Sequence, residues 1–401
     1  MSEQIPAEWG NFYLKDVSFV NLMMRRIYNV LIVANPYDAF MLEDDGRVEE
    51  KIYNEYMELG LRYPPTFTQV STIEEASKVL NTVDIDLVIC MPGNADNDAF
   101  DVARAVKAEF PDIHCVVLTP FSHGITKRIQ NEDLSIFDYV FCWLGNTNLI
   151  LSIIKLMEDK MNIDNDIHEV GVQMILLVED SIRFYSSILP NLYSYILTQS
   201  QNFATEALTR HEASLRQRGR PKVVLARTYE EAWDIYQRYK DNCLGVISDV
   251  RFPINNVEDK GSSATEGNIP VAEKDPEAGL KLLRAIRKED EYLPLIIESS
   301  ESENREKAEA EGFHFVDKNS KKMSVDLRHL LEEHMGFGDF IFRNPETREE
   351  VMRIRSLKEL QDNIFTIPRD SMLYHISRNH MSRWLSARAI FPVSSFLKGI
   401  T

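Results

Sequence analysis

Cysteine is scarce: Cys90, Cys115, Cys142 and Cys243 are the four in a chain of 401 residues. None belongs to a CxxC pair or to a Cys/His cluster at zinc spacing, which excludes a structural zinc site. All four stand in or beside apolar strand-like runs, where buried free thiols suit a reducing compartment. Long hydrophobic runs are missing as well. No segment approaches the ~18 apolar residues that cross a bilayer. The start, Met1-Ser2-Glu3-Gln4-Ile5-Pro6, has neither the basic nor the apolar region of a signal peptide. A cytoplasmic protein without membrane contact is expected. No glycine-rich nucleotide loop occurs, so ATP chemistry of the chain's own is not expected. Positive charge is in deficit, with 45 Lys and Arg against 63 Asp and Glu and a net charge of −18, which argues against nucleic acid or anionic membranes as partners. Residues 337–401 depart from this with ten basic and seven acidic side chains, a balance of +3 against −21 for the rest. That tail holds no recognisable helix-turn-helix, and its mild excess points to an acidic partner surface.

At roughly 150 residues per domain the length predicts two or three domains, and 44% hydrophobic residues suffice for large cores. One plan occurs twice. Asn29-Val30-Leu31-Ile32-Val33-Ala34 corresponds to Met174-Ile175-Leu176-Leu177-Val178-Glu179, and Thr72-Ile73-Glu74-Glu75-Ala76 to Thr228-Tyr229-Glu230-Glu231-Ala232. Asp86–Met91 then parallels Leu244–Asp249, Cys115–Thr119 parallels Leu295–Ser299, and Tyr139–Cys142 parallels Phe315–Lys318. Thr72 and Thr228 are placed to cap helices with acids in the first turn. Apolar runs alternating with helical patterns predict two α/β domains, each a doubly wound, flavodoxin-like parallel sheet. The expected order is a lead segment 1–25, a first copy 26–165, a second copy 172–336 and a helical tail 337–401. Polar Asp164–Glu169 is read as the joint between the copies. The long helical region from Ile182 through Gln201 to Arg218, expected to break at Pro190, carries surplus apolar surface. It is a contact surface, for the first copy or for a second chain in a homodimer.

The second copy ends its strands on chemistry. Glu179 and Asp180 close the first apolar run, Asp249 the third and Ser299 the fourth, and Lys318 follows the fifth. In a doubly wound sheet these carboxyl ends converge on one crevice. Two acids, a third acid, a hydroxyl and a lysine together suit a divalent cation and a phosphoryl group. Residues 172–336 resemble a receiver domain of the two-component response-regulator family. The resemblance implies that Glu179, Asp180 and Asp249 hold Mg²⁺ with the backbone carbonyl of Arg251. It further implies that Asp249 accepts the phosphoryl group, that Lys318 and Ser299 contact it, and that Ser299 and Phe315 form a conformational switch. The implied partners are a histidine kinase or a small-molecule phosphodonor and a downstream catalytic or output domain. Mg²⁺ prefers octahedral oxygen ligands and keeps several waters, which suits such a set.

Three features depart from the family pattern. Asn319 follows Lys318 where proline is usual, and Ser300-Glu301-Ser302-Glu303 makes an acidic fourth loop. The expected glycine, Gly279, stands 30 residues beyond Asp249 rather than about eight, so the polar segment Asn255–Pro276 is an insertion that gates or blocks the site. In the first copy Ala34 and Asn35 replace the metal-binding acids, Met91 the acceptor and Cys142 the lysine, leaving only Thr119. Asp38, Glu43, Asp44 and Asp45 are read there as a solvated face. That copy is a degenerate receiver kept for packing or partner binding.

The whole arrangement, with Tyr374–His380 and Trp384–Arg388 in the tail, is also similar to the N-terminal region of phosphoenolpyruvate-synthase-like proteins with a pyruvate phosphate dikinase part downstream. That resemblance implies a regulatory front end without turnover of its own beyond phosphoryl acceptance. The stop at Phe396–Thr401 without a polar tail is what a piece of a longer protein would show. An inert pseudo-receiver scaffold is the remaining alternative.

Overall fold

The computed structural model describes residues 21–40, 42, 47–92, 99–120, 136–254 and 274–398. Glu43, Asp44, Asp45, most of the insertion (residues 255–273) and the last three residues lie outside the described set.

Runs of Val, Ile and Leu bounded by polar turns form parallel strands covered on both faces. The first sheet consists of β1 (Asn29–Val33), β2 (Thr66–Val70), β3 (Leu87–Cys90), β4 (His114–Pro120) and β5 (Tyr139–Trp143), ordered β2-β1-β3-β4-β5. The second contains β6 (Met174–Val178), β7 (Lys222–Ala226) and β8 (Cys243–Asp249). A two-residue antiparallel ribbon, β9 (Phe252–Pro253) with β10 (Lys274–Asp275), brackets the insertion. With β11 (Leu295–Ser299) and β12 (His314–Asp317) the second sheet runs β7-β6-β8-β11-β12. The two orders are the same flavodoxin-like sequence of crossovers, so the repeated plan is two doubly wound α/β units.

Helices of the first unit are α1 (Pro36–Phe40), α2 (Val48–Glu58), α3 (Ile73–Leu80), α4 (Ala99–Glu109) and α5 (Asn148–Val170). Those of the second are α6 (Ile182–Thr205), α7 (Arg210–Arg218), α8 (Tyr229–Tyr239), α9 (Ala278–Glu289), α10 (Glu303–Ala310) and α11 (Met323–His334). Thr72 and Thr228 cap α3 and α8 as expected, each hydroxyl accepting from an amide three residues on at 3.2 Å. Glu75 and Glu231 reach back to the amides of Ser71 and Arg227, closing capping boxes.

One core runs through both units. α2, α5, α6 and α11 form a layer between the sheets, where Tyr56, Ile154, Tyr185, Leu192, Tyr193 and Leu331 are buried with Ile32 of β1 and Leu177 of β6. Each such side chain contributes about 1.5–3 kcal/mol by leaving water, so the surplus apolar face of α6 is consumed inside the chain. The amide of Cys142 on β5 donates to Ser186 Oγ of α6 at 2.9 Å, and Tyr185 donates to the carbonyl of Val140.

Two local expectations differ. Pro190 does not break its helix; α6 continues to Thr205 and the break comes before α7. The proline forfeits one backbone bond, and buried Leu189, Leu192, Tyr193 and Ile196 on both sides of it keep the helix in place. Asp164–Glu169 is not a loop but the last turns of α5, ended by Gly171 at φ 79°. Its polarity is internal: Asp166 is fully buried, 2.9 Å from Lys222, and accepts from the amide of Met23.

The tail is helical from Leu357 on, in α12 (Leu357–Asn363), α13 (Arg369–Ile376), α14 (His380–Ala387) and α15 (Phe391–Lys398). It opens, however, with a β-hairpin that the reading of helices alone missed, β13 (Phe340–Arg343) with β14 (Glu350–Ile354). Asn344 makes its turn by accepting from the amides of Glu346 and Thr347. Charged residues on the outer face of β14 obscure the alternation. Phe340, Phe342, Ile354, Met381 and Trp384 close a small core of their own.

Candidate functional site

Strand register sets out the site. Val178 pairs with Ser248, and Asp249 pairs with Glu298, so the ends of β6, β8 and β11 lie side by side. Glu179, directly after β6, and Asp180 bring carboxylate oxygens within 4.8 Å of one another and of Asp249. Lys318, beyond β12, sits over them: its ammonium is 2.9 Å from Asp249 Oδ1 and bonds Glu179 Oε2 more closely. Asp249 Oδ1 also accepts from the amide of Val250 at 2.8 Å. Both constraints fall on one oxygen, Oδ1. Thus four of the residues singled out in the sequence meet in one crevice.

Ser299 ends β11 on the next strand, buried, its Oγ accepting from the amide of Glu301 and from Asn304 Nδ2 at 3.0–3.1 Å. Its hydroxyl hydrogen remains as a donor. Phe315 lies two residues before Asp317, the register partner of Ser299, and is half-buried under the guanidinium of Arg305. Arg251 stands between β8 and β9 with an exposed side chain paired to Glu301 at 3.2 Å. Asn319 ties the loop after β12 to the loop after β11 through the carbonyl of Ser300 at 2.9 Å.

Gly279 opens α9 against the site despite its distance in sequence. Its amide bonds the carbonyl of Val250, and a Cβ there would stand 1.9 Å from the carbonyl oxygen of Asp249. Only glycine admits this approach of helix to β8. In the first unit the corresponding positions are Ala34, Met91 and Cys142, all buried, while Asn35 accepts from the amides of Tyr37 and Asp38 as a cap for α1.

The sequence reading missed Glu298. It is 0% exposed, and neither carboxylate oxygen has a hydrogen-bond partner. Burial pushes its carboxyl up to about 8, with Lys318 opposing and Glu179 and Asp249 adding to the rise. Glu179 is likewise pushed up to about 7, by burial first, against Lys318 and with Asp249. Burial opposes the charge on Lys318, yet Glu298, Glu179 and Asp249 hold its pKa above the usual lysine value. A strand register built from the sequence would have placed Glu298 beside Asp249. Its position within an apolar run disguised it.

A folded pKa above the unfolded value stabilises at low pH. The stability that Glu298 contributes is therefore complete below about 4.5 and is lost as the pH rises through about 8. Glu179 acts in the same sense up to about 7. Urea midpoints of the parent should fall between pH 5 and 8, by at most about 1.4 kcal/mol per pH unit for each group. Glu298→Gln should be the more stable protein at pH 8.5 and should show no further fall between pH 7 and 8. An unchanged profile would mean that Glu298 carries no extra proton.

The donor set fits a hard divalent cation. Four carboxylates face one buried ammonium, and Asp180 Oδ1 is buried without a hydrogen-bond partner. Asp180 Oδ2 meets Lys274 of β10 at 2.5 Å. Lys274, near the end of the segment Asn255–Pro276, thus places an ammonium beside the carboxylates that would hold a divalent cation. Lys274→Ala should bind Mg²⁺ several-fold more tightly than the parent in a fluorescence titration; equal or weaker affinity would show that Lys274 does not compete.

No protein-family model matches the sequence, and no curated protein matches it. Among solved structures the chain is similar to the signal receiver domain of an HD domain-containing protein from Pseudomonas fluorescens Pf-5. The identity is 13%, over 35% of this chain and 97% of that one, with a TM-score of 0.25. It is also similar to a two-component system response regulator/GGDEF domain protein, at 14% identity over 76% of this chain and 98% of that one, with a TM-score of 0.30. The class of fold rests on the shared strand order of the two sheets. No helix among the described residues is long and apolar enough to cross a membrane.

Proposed function

We propose that the second unit is a Mg²⁺-dependent phosphoryl acceptor and that Asp249 carries the phosphoryl group. The observation that carries this reading is the convergence of Glu179, Asp180 and Asp249 within 4.8 Å under the ammonium of Lys318. Glu179, Asp180 and Asp249, with the carbonyl of Arg251, would hold the cation, which when bound offsets charge on the incoming phosphoryl oxygens. Asp249 Oδ2 forms the new bond to phosphorus, and the donor, a histidine imidazole or a small acyl phosphate, leaves with the electron pair of the bond that breaks. Lys318 is placed to move from Asp249 Oδ1 to a phosphoryl oxygen as a point charge. Ser299 has its hydroxyl hydrogen available for another, and the space it vacates is one that Phe315 can enter, giving a two-state element. The output is a downstream domain or partner. In the finer reading it is the catalytic part of a phosphoenolpyruvate-synthase-like enzyme, with the first unit as a degenerate receiver.

A second reading, an unphosphorylated scaffold, draws on the Lys274–Asp180 contact, which in that case stays closed. Incubation with acetyl phosphate or beryllofluoride and Mg²⁺ separates the two. The acceptor reading expects one adduct, mapped by mass spectrometry to Asp249 and lost without Mg²⁺. Absence of an adduct with either reagent leaves the scaffold.

A further inference from the structure

A second polar cavity lies at the other end of the second sheet. It holds about 970 Å³ between the amino ends of β11 and β12, the end of α11 and the tail. Strands of five residues at about 3.3 Å each separate it from the acidic crevice by roughly 16 Å. Arg383 of α14 lines it and is 7% exposed, yet its guanidinium has no salt-bridge partner among the described residues. One Nη donates to the carbonyl of Arg378 at 2.9 Å, and Nε has no partner at all. Asp290 acts on the guanidinium from beyond bonding distance, and burial still holds its pKa below the usual arginine value. A buried cation with no bonded counter-charge is costly unless an anion joins it.

The wall of the cavity carries six arginines against five acids in a chain of net charge −18. Beyond burial itself, the groups acting on His334 are His314, Arg383, His329 and Arg343; those acting on His380 are Arg383, His375, Arg378 and His334. These influences push both imidazoles down to about 3, so they stand neutral. Of the five acids, Glu206 accepts from the amide of Leu357 and Glu332 from Tyr195, while Asp339 pairs with Arg353. Glu333 lies beside His329, His334 and Arg343, and Glu291 stands exposed at the rim. None of the five forms a salt bridge with Arg383.

Hydrogen bonds orient the donors. The amide of Arg343 donates to His375 Nε2 at 2.9 Å, which puts the hydrogen of His375 on Nδ1. His375 Nδ1 lies 3.0 Å from His380 Nδ1 and donates to it, which puts the hydrogen of His380 on Nε2. His380 therefore ends the chain as an N–H donor on the cavity wall. Arg388, stacked 3.8 Å from the Trp384 ring and bonded to the carbonyls of Gly336 and Gly338, fixes the wall behind.

We propose that this cavity binds a phosphorylated small molecule of nucleotide size, with Arg383 and His380 as its phosphate contacts. Guanidinium and imidazole N–H groups match phosphoryl oxygens. The volume exceeds what inorganic phosphate fills and lies in the range of small-molecule sites. The half-buried Tyr374, with the guanidiniums of Arg378 and Arg348 at 4.1 and 4.7 Å from its ring centre, adds an aromatic-cation edge for the organic part.

Isothermal titration of the full chain with ADP, pyrophosphate and adenosine tests this. ADP should bind saturably and adenosine at least about 10-fold more weakly, since adenosine forfeits the charge-assisted bonds. Arg383→Gln should lower ADP affinity by about the same factor. Because Arg383 is buried, His380→Phe, which keeps a ring and loses the donor, serves as a second variant, with circular dichroism to establish that each is folded. The proposal is overturned if neither ADP nor pyrophosphate saturates, if adenosine equals ADP, or if folded His380→Phe binds ADP like the parent.

Discussion

Asp249→Asn abolishes adduct formation with acetyl phosphate while leaving the protein folded. The carboxamide has the shape of the carboxylate, can still accept from the amide of Val250, and offers no anionic oxygen to attack phosphorus. Asp249 is half-buried rather than buried in the core, at 16% side-chain exposure, so the substitution also relieves part of the crowding of like charge beside Glu179 and Glu298. The expected pair of results is complete loss of the mass shift and a urea midpoint equal to or above the parent's. A residual adduct of full stoichiometry in the asparagine protein would place the acceptor elsewhere. Unfolding on substitution would make Asp249 a structural residue instead.

The largest loss of stability is expected from Asp159→Ala, at a position with no part in the chemistry. Asp159 of α5 is 0% exposed and gathers four donors from the second unit: both Nη groups of Arg220 at 2.7 and 3.0 Å, Tyr193 at 2.8 Å and the amide of Val223 at 3.0 Å. Removing it strands Arg220, which is 2% exposed and keeps one hydrogen bond, to the carbonyl of Pro221, beside the Tyr193 ring. Breaking one partner from a buried pair costs about 3–5 kcal/mol, a large share of the roughly 5–15 kcal/mol that holds a domain folded. Denaturation should show a markedly lower urea midpoint or no folded protein at all. Lys358→Ala, which removes one partner of the exposed Lys358–Asp362 pair, should leave the midpoint within error. Comparable midpoints for the two variants would refute the assignment of the network as the link between the units.

Much of the fold was legible because parallel strands buried on both faces read as apolar runs, and four pairs of such runs recur in one order. The edge strands β2, which is TFTQV and largely half-exposed, and β7 were not read. The two threonine caps were legible for the same local reason. The crevice followed from topology, since residues ending strands of one sheet must meet. What escaped was nonlocal. Glu298 stands inside an apolar run, and only cross-strand register reveals that it borders Asp249. The polar turns of α5 looked like a joint because their partners, Lys222 and Met23, are distant in sequence. The tail's hairpin escaped because its strands span only Phe340–Arg343 and Glu350–Ile354, with charges on the outer face. Gly279 was recognisable by type but displaced by the insertion, and its contact with the carbonyl of Asp249 shows why that glycine is required there.

The shared helical layer gives the first half a task that needs no chemistry. Side chains from both sheets are sealed by the same four helices, so detaching residues 26–165 would expose to water the inner flank of the half that holds Asp249. A unit with Ala34, Met91 and Cys142 at its own strand ends can therefore still be indispensable, as the opposite wall of its neighbour's interior.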